Sequence, residues 1–157
     1  MIRLATPSDA AEIAAIWNDA IRYTTITFNP VEKSPAEVAT IIRDADTCYV
    51  FEDAGVVQGF ARYFQFRGGE GYRHTAEHTI MLHADARGKG AGRALMQTIC
   101  DAAKAANMHS IYAGVSAENA AAVAFHAKMG FTTAAILPEV GHKFGRWIDL
   151  VLMRKHL

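Results

Sequence analysis

Between a run that reads as a strand and a run rich in alanine, the chain reads Arg87-Gly88-Lys89-Gly90-Ala91-Gly92-Arg93. Glycine weakens the interior of a strand or a helix, so three glycines at alternate positions mark a turn. His74–His83 before it reads as a strand, and about Ala91 to Ala106 after it reads as a helix. A strand passing through a glycine turn straight into a helix belongs to an α/β architecture.

The same turn suits an anion. Glycines let a ligand approach the backbone closely, and the helix that follows directs free N–H groups and its positive dipole end at the same point. Arg87, Lys89 and Arg93 add positive charge. Two familiar phosphate motifs do not fit. A P-loop requires Ser or Thr after its Gly-Lys, and Gly90 follows Lys89. The dinucleotide fingerprint requires a glycine where Arg93 stands. The competing reading is a glycine turn with a solvated basic rim.

Elements on either side complete the pattern. Ile2–Ala5 reads as a short strand, and Ser8 or Asp9 caps a helix to about Ala20 with Ile13, Ile16 and Trp17 on one face. Arg22–Pro30 has no clear period. Ser34-Pro35-Ala36-Glu37 is a capping-box helix start, and that helix runs to about Asp44. Thr47–Glu52 and Val56–Phe66 read as strands joined by the turn Asp53-Ala54-Gly55. Ile111–Val115 is a strand, Glu118–Lys128 a helix ended by Gly130, and Phe131–Pro138 and Trp147–Met153 the last strands, with a Gly/Lys/Arg-rich connection between them. This order predicts a mixed sheet with helices packed on it.

At 157 residues the chain is expected to form one domain, residues 1–157. Sixteen basic side chains balance sixteen acidic ones, which argues against a nucleic-acid partner or an acidic membrane surface. The first residues lack the pattern of a signal peptide, and no apolar run reaches the ~18 residues of a membrane span. Cys48 and Cys100 have no CxxC spacing and read as buried thiols. A cytoplasmic protein is expected. His74, His78 and His83 surround Glu77, but strand alternation puts His74 and His78 on one face and Glu77 and His83 on the other, so no metal site is expected.

Set in this order, Arg87-x-x-Gly90-x-Gly92 resembles the coenzyme A loop of the GNAT N-acetyltransferases. Asn119 at the opening of the next helix and the ending Phe125-His126-Ala127-Lys128-Met129-Gly130-Phe131 match in sequence. A narrower resemblance, to the phosphinothricin and methionine sulfone/sulfoximine acetyltransferase branch, rests on three further segments. They are Trp17-Asn18-Asp19-Ala20 with the Thr-rich stretch after it, Arg73-His74-Thr75-Ala76-Glu77-His78 and the run from Val140 to Asp149 containing Gly145-Arg146-Trp147-Ile148-Asp149.

The resemblance implies a GNAT fold: α/β, with a mixed, largely antiparallel central sheet splayed at the cofactor site and flanked by helices. It implies acetyl-CoA as cofactor, with coenzyme A as product. The backbone of Arg87, Gly88, Lys89, Gly90, Ala91, Gly92 and Arg93 would hold the pyrophosphate. Ile80, Met81 and Leu82 would run beside pantetheine like an added strand, with a strand N–H polarising the thioester carbonyl. Asn119 would contact the pantetheine arm, and Lys128 would reach a phosphate or stay solvated.

Acetyl transfer needs a neutral amine, and the branch assigns the glutamate matching Glu77 to take its proton. The alternative is a strand glutamate paired with a neighbouring arginine or histidine. Many GNAT members carry a tyrosine on the later helix as acid toward the thiolate. Here Phe125 and His126 stand in that region, and His126 is either that acid or a helix histidine facing a polar neighbour. Glu70, Gly71, Tyr72, Arg73 and Glu77 match the region that approaches substrate. A substrate carboxylate calls for an arginine fork, from Arg67, Arg73 or Arg146, each of which also suits a surface ion pair. Trp17, Phe28 and Tyr72 are candidates for an apolar wall. The expected activity is acetylation of the α-amino group of a small amino-acid-like substrate by a homodimer. A peptide or polyamine acetyltransferase and a non-catalytic acyl-CoA sensor are the alternatives.

Overall fold

The computed structural model describes residues 1–157. Seven strands form one sheet: β1 (Ile2–Leu4), β2 (Cys48–Asp53), β3 (Val56–Gln65), β4 (Thr75–Leu82), β5 (Ser110–Ser116), β6 (Thr132–Lys143) and β7 (Arg146–His156). Four helices flank it: α1 (Ala10–Tyr23), α2 (Pro35–Asp44), α3 (Ala91–Ala105) and α4 (Ala120–Lys128). The strand order is β1-β2-β3-β4-β5-β7-β6. Every neighbouring pair is antiparallel except β4 and β5, which are parallel. Parallel neighbours need a crossover, and the glycine turn with α3 supplies it.

That parallel pair is short. β4 and β5 pair only at Thr75↔Ser110, Ala76↔Ile111 and Glu77↔Tyr112, then diverge. Thr75 O accepts from Phe66 N and His83 N donates to Gln58 O, so the odd-numbered residues of β4 bond to β3. The backbone groups of Ile80 and Leu82 therefore face away from β3, toward the side β5 has left. On β5, His109 O and Ala117 N bond to the β7 side, which turns the backbone of Gly114 toward the same gap. The expected splay is present, with a free strand edge on each wall.

Two cores hold the sheet. On one face α1 and α2 bury Ile13, Trp17, Val38 and Ile42 against Val50, Phe60 and Met81. On the other, α3 buries Leu95, Met96 and Ile99 against Ala76, Ile111 and Met153. Each buried Val, Leu, Ile, Phe or Met among them contributes about 1.5–3 kcal/mol. The capping box of α2 is formed as expected: Glu37 N donates to Ser34 Oγ at 3.2 Å, and Ser34 N to Glu37 Oε2 at 2.6 Å. The turn at Ala54-Gly55 is also present, with both residues at positive φ, as a two-residue hairpin requires.

Several boundaries differ from the sequence reading, among them the end of β7, which runs to His156 rather than Met153. Asp9 stands at the N-cap position of α1 but its side chain gives the helix no hydrogen bond: the carboxylate accepts from Thr6 N and Arg3, and the helix continues three residues further than expected, to Tyr23. Helix α4 begins at Ala120 because Asn119 is its cap, Oδ1 accepting from Ala122 N. The Gly/Lys/Arg-rich connection is mostly strand: β6 runs through Pro138 to Lys143, and only Phe144-Gly145 turn the hairpin. Proline is tolerated there because β6 is an edge strand with a bulge between Leu137 and Gly141. No helix is long and apolar enough to cross a membrane.

Candidate active site

The divergence of β4 from β5 opens a cleft of about 940 Å³ through the sheet. One end lies on the α3/α4 side, lined by Ile80, Leu82, Arg87, Gly88, Gly92, Asn119, Ala122 and Phe125. The other lies under α1 and the segment after it, lined by Trp17, Tyr23, Phe28, Glu77 and Thr79.

The first end fits coenzyme A on structural grounds. Gly88 and Gly90 have φ of +75° and +82°, and a Cβ at either would meet nothing within 4 Å, so the turn presents bare backbone to open space. It leads directly into the fifteen-residue helix α3, whose first N–H groups face the same way. Gly92 serves the cleft differently: a Cβ there would lie 3.3 Å from Leu82 Cδ1 and crowd the cleft wall. The unpaired backbone of Ile80 and Leu82 then continues the path as a strand edge. Asn119 uses Oδ1 for its cap, which leaves the amide NH₂ free for a ligand carbonyl.

Comparison with known proteins gives the same assignment. The family described as "Acetyltransferase (GNAT) domain" matches residues 2–152. The chain belongs to the GNAT acetyltransferases.

Among its relatives, the L-amino acid N-acyltransferase MnaT of Escherichia coli K12 is 38% identical over 161 residues, covering 99% of this chain and 93% of that protein. The L-methionine sulfoximine/L-methionine sulfone acetyltransferase of Pseudomonas aeruginosa PAO1 is 38% identical over 164 residues, covering 99% and 94%. A Sinorhizobium meliloti phosphinothricin acetyltransferase solved with acetyl-CoA superposes with a TM-score of 0.94 at 27% identity, covering 100% of this chain and 88% of that one.

Within this GNAT fold, Glu77 and His126 stand on opposite sides of the sheet. Glu77 shares its face with Thr79 and Met81, and Met81 packs in the α1/α2 core. Its row neighbours are Phe64 on β3 and Tyr112 on β5. Burial alone raises its pKa above the ordinary carboxylate value, and no cation or hydrogen-bond donor offsets that. His126 projects from α4 onto the other face. Its Nδ1 lies 2.7 Å from Ala122 O and so carries the proton, leaving Nε2 to accept from His78 Nε2 at 3.1 Å. The two rings stack with centroids 5.1 Å apart, and Phe131 edges onto both. Burial holds His78 and His126 below the usual histidine value, so the pair is neutral at pH 7. His78 Nδ1 is buried without a partner.

Other residues singled out from sequence fall outside the cleft. Glu70–Tyr72 form an exposed turn before β4, and Arg73 bonds to His74 Nε2 at 3.1 Å. Tyr72 carries the Arg67 guanidinium over its ring rather than forming a cleft wall. Arg146 is engaged by Glu118 through two hydrogen bonds of 2.9 and 2.7 Å. Of the turn, Arg87, Gly88 and Gly92 line the cleft, whereas Lys89, Gly90, Ala91 and Arg93 do not; Lys128 at the end of α4 does not either. No group of three His, Cys, Asp or Glu side chains comes together. Sequence reasoning gave Thr24, Ile26 and Thr27 no place in the cleft, which they line together with Glu77, because an aperiodic segment shows no preferred face.

Proposed function

We propose that this GNAT enzyme transfers the acetyl group of acetyl-CoA to the α-amino group of a small amino-acid-like substrate of the phosphinothricin, methionine sulfoximine or methionine sulfone type. The observation that carries the reading is Glu77, an unpaired carboxylate raised by burial and set on the aromatic side of a cleft that passes through the sheet. The activities named for the relatives above support the substrate class.

When bound, acetyl-CoA supplies an activated acetyl thioester. The turn from Arg87 to Arg93, including Gly88, Lys89, Gly90, Ala91 and Gly92, and the start of α3 hold the pyrophosphate, with Lys128 as a further phosphate contact. Ile80, Met81 and Leu82 line the pantetheine path, and Asn119 contacts it through its free amide. A backbone N–H on the open edge of β4 polarises the thioester carbonyl. Glu77 would take the proton of an amine attacking the thioester directly, a task for which a raised pKa is suited. Neutral His126 shapes the wall beside the departing sulfur, and a thiol with a pKa near ~8.5 needs little help to collect a proton. Arg73, expected as a fork for the substrate carboxylate, stands outside the cleft and donates its Nε–H to His74 Nε2. Arg146 instead holds Glu118.

A second copy of the chain completes the assembly. Trp147 is 63% exposed and Phe144 52%, beside Ile136 and Val140 on the β6–β7 hairpin, an apolar stripe suited to a homodimer. The buried free thiols Cys48 and Cys100 suit a reducing, cytoplasmic setting.

Thiol release from acetyl-CoA at pH 7 to 8.5 tests the reading. The amines are phosphinothricin, methionine sulfoximine, methionine sulfone, a polyamine and a short peptide. Turnover of one of the first three, reduced about 10²- to 10⁴-fold in Glu77→Gln with acetyl-CoA binding retained, is expected. Turnover of peptide or polyamine alone refutes the substrate class, and bound acetyl-CoA without turnover refutes the transferase reading.

A further inference from the structure

The segment Thr24–Phe28 leaves the end of α1 and roofs the amine side of the cleft, where Thr24, Ile26, Thr27 and Phe28 face the same space as Glu77. It has no regular secondary structure of its own. Within the segment, Thr24 bonds back to Ala20 O and Ile26 N bonds to Thr24 Oγ1; these local bonds shape the turn and tie only its first residue to α1. What fixes it over the cleft comes from far along the chain, at the tip of the β6–β7 hairpin.

Three contacts converge there. Lys143 is only 5% exposed, and its Nζ donates to Thr24 O at 2.6 Å and to Thr27 O at 2.7 Å. Gly141 lies against the Phe28 ring so closely that a Cβ would stand 2.4 Å from Phe28 Cδ2. Arg146 grips Glu118, whose Oε1 accepts from Thr25 Oγ1 at 3.2 Å. Glu118 immediately precedes Asn119, the cap of α4, so the same contact ties the roof to the cofactor side.

Lys143 is costly for a residue that merely fills space. Its ammonium is buried against two carbonyls with no carboxylate partner, and burial pushes its pKa down. A methionine of similar length would fill the volume without that penalty. What the ammonium adds is two fixed hydrogen bonds that bring residues 24 and 27 to one point.

We infer that the hairpin tip is a latch that sets the position of the cleft roof, with Lys143 as the positioning residue for the amine substrate. The inference rests on the amine occupying the Glu77 side. Lys143 acts through Thr24, Thr27 and Phe28 and touches no reacting atom. Its loss is therefore read in amine recognition rather than in cofactor binding.

The test uses Lys143→Met, Lys143→Arg and Gly141→Ala in the full chain. In Lys143→Met the amine KM is expected to rise about tenfold, because a small displacement of a positioning wall is enough to misplace the substrate. The acetyl-CoA dissociation constant stays within about twofold. Lys143→Arg, which keeps two donors, restores most of the loss, and Gly141→Ala shifts KM in the same direction as Lys143→Met by displacing Phe28. Amide hydrogen exchange across residues 24–28 quickens in Lys143→Met while α3 exchanges as in the wild type.

Wild-type KM and wild-type exchange in a folded Lys143→Met overturn the latch. So does a loss of acetyl-CoA affinity equal to the loss of amine recognition, the mark of general loosening. Exchange needs no amine. A wild-type enzyme that acetylates nothing refutes the amine reading, while the exchange result still decides whether the hairpin holds the roof.

Discussion

The buried histidine pair makes acid sensitivity of the fold a quantitative matter. Burial, with His126 alongside, pushes the His78 pKa down from 6.5 to about 3. A folded-state value below the unfolded one means that the stabilisation is present above pH 6.5 and is lost as pH falls toward the folded value. At pH 5.0 the unfolded chain binds a proton at His78 and the folded chain does not. Between pH 7.5 and 5.0 this single group removes about 2 kcal/mol, at about 1.4 kcal/mol per unit of pH below 6.5.

His78→Gln removes the titration while keeping a side-chain N–H that can donate to His126 Nε2. Urea unfolding of both proteins at pH 7.5 and 5.0 measures the effect. The variant should lose some stability at both pH values through altered packing. The gap between the two proteins should shrink or reverse by about 2 kcal/mol at the lower pH, roughly 1 M in the urea midpoint. Glu77 opposes this trend, since its raised pKa makes acid favourable to the fold, but it is common to both proteins and cancels in the comparison. A stability difference that is the same at both pH values would refute a neutral, buried His78.

Three further outcomes follow from the same geometry. Catalytic turnover should rise with pH through the raised Glu77 ionisation, and Glu77→Gln should lack that limb; a limb that persists in kcat/KM profiles of the variant assigns the base elsewhere. Gly90→Ala places a side chain at φ +82°, costing about 1–2 kcal/mol of backbone strain and weakening acetyl-CoA binding; calorimetry showing unchanged affinity would count against the turn as the pyrophosphate site. Trp147→Ser should shift the protein toward monomer in light scattering while leaving its circular dichroism unchanged, because Trp147 is exposed in the single chain. An unaltered mass would show that the stripe is not the contact.

Much of this fold was legible from local chemistry. The Ser34–Glu37 capping box, the Ala54-Gly55 hairpin and the glycine turn ahead of α3 each depend on residues a few positions apart, so the chain states them directly. Glu77, singled out by the motif around it, and Arg87, Gly88 and Gly92, singled out by glycine spacing, do line the cleft. β6 was read too short because Pro138 interrupts an ordinary strand, and nothing local announces that the strand lies at an edge where a proline can stay.

The remaining features are decided by partners distant in sequence. Glu77 and His126 belong to opposite faces of the sheet, and His126 spends its second nitrogen on His78, forty-eight residues away. Arg146 suited either a substrate carboxylate or a surface ion pair, and Glu118 occupies its fork; Lys143, one residue of a Gly/Lys/Arg-rich connection, is bound to the carbonyls of Thr24 and Thr27, more than a hundred residues away. Periodicity, caps and turns arise from neighbouring backbone and are therefore written in the sequence. Burial, pairing of ionisable groups and the opening between β4 and β5 depend on which distant segments meet, and they exist only in the folded chain.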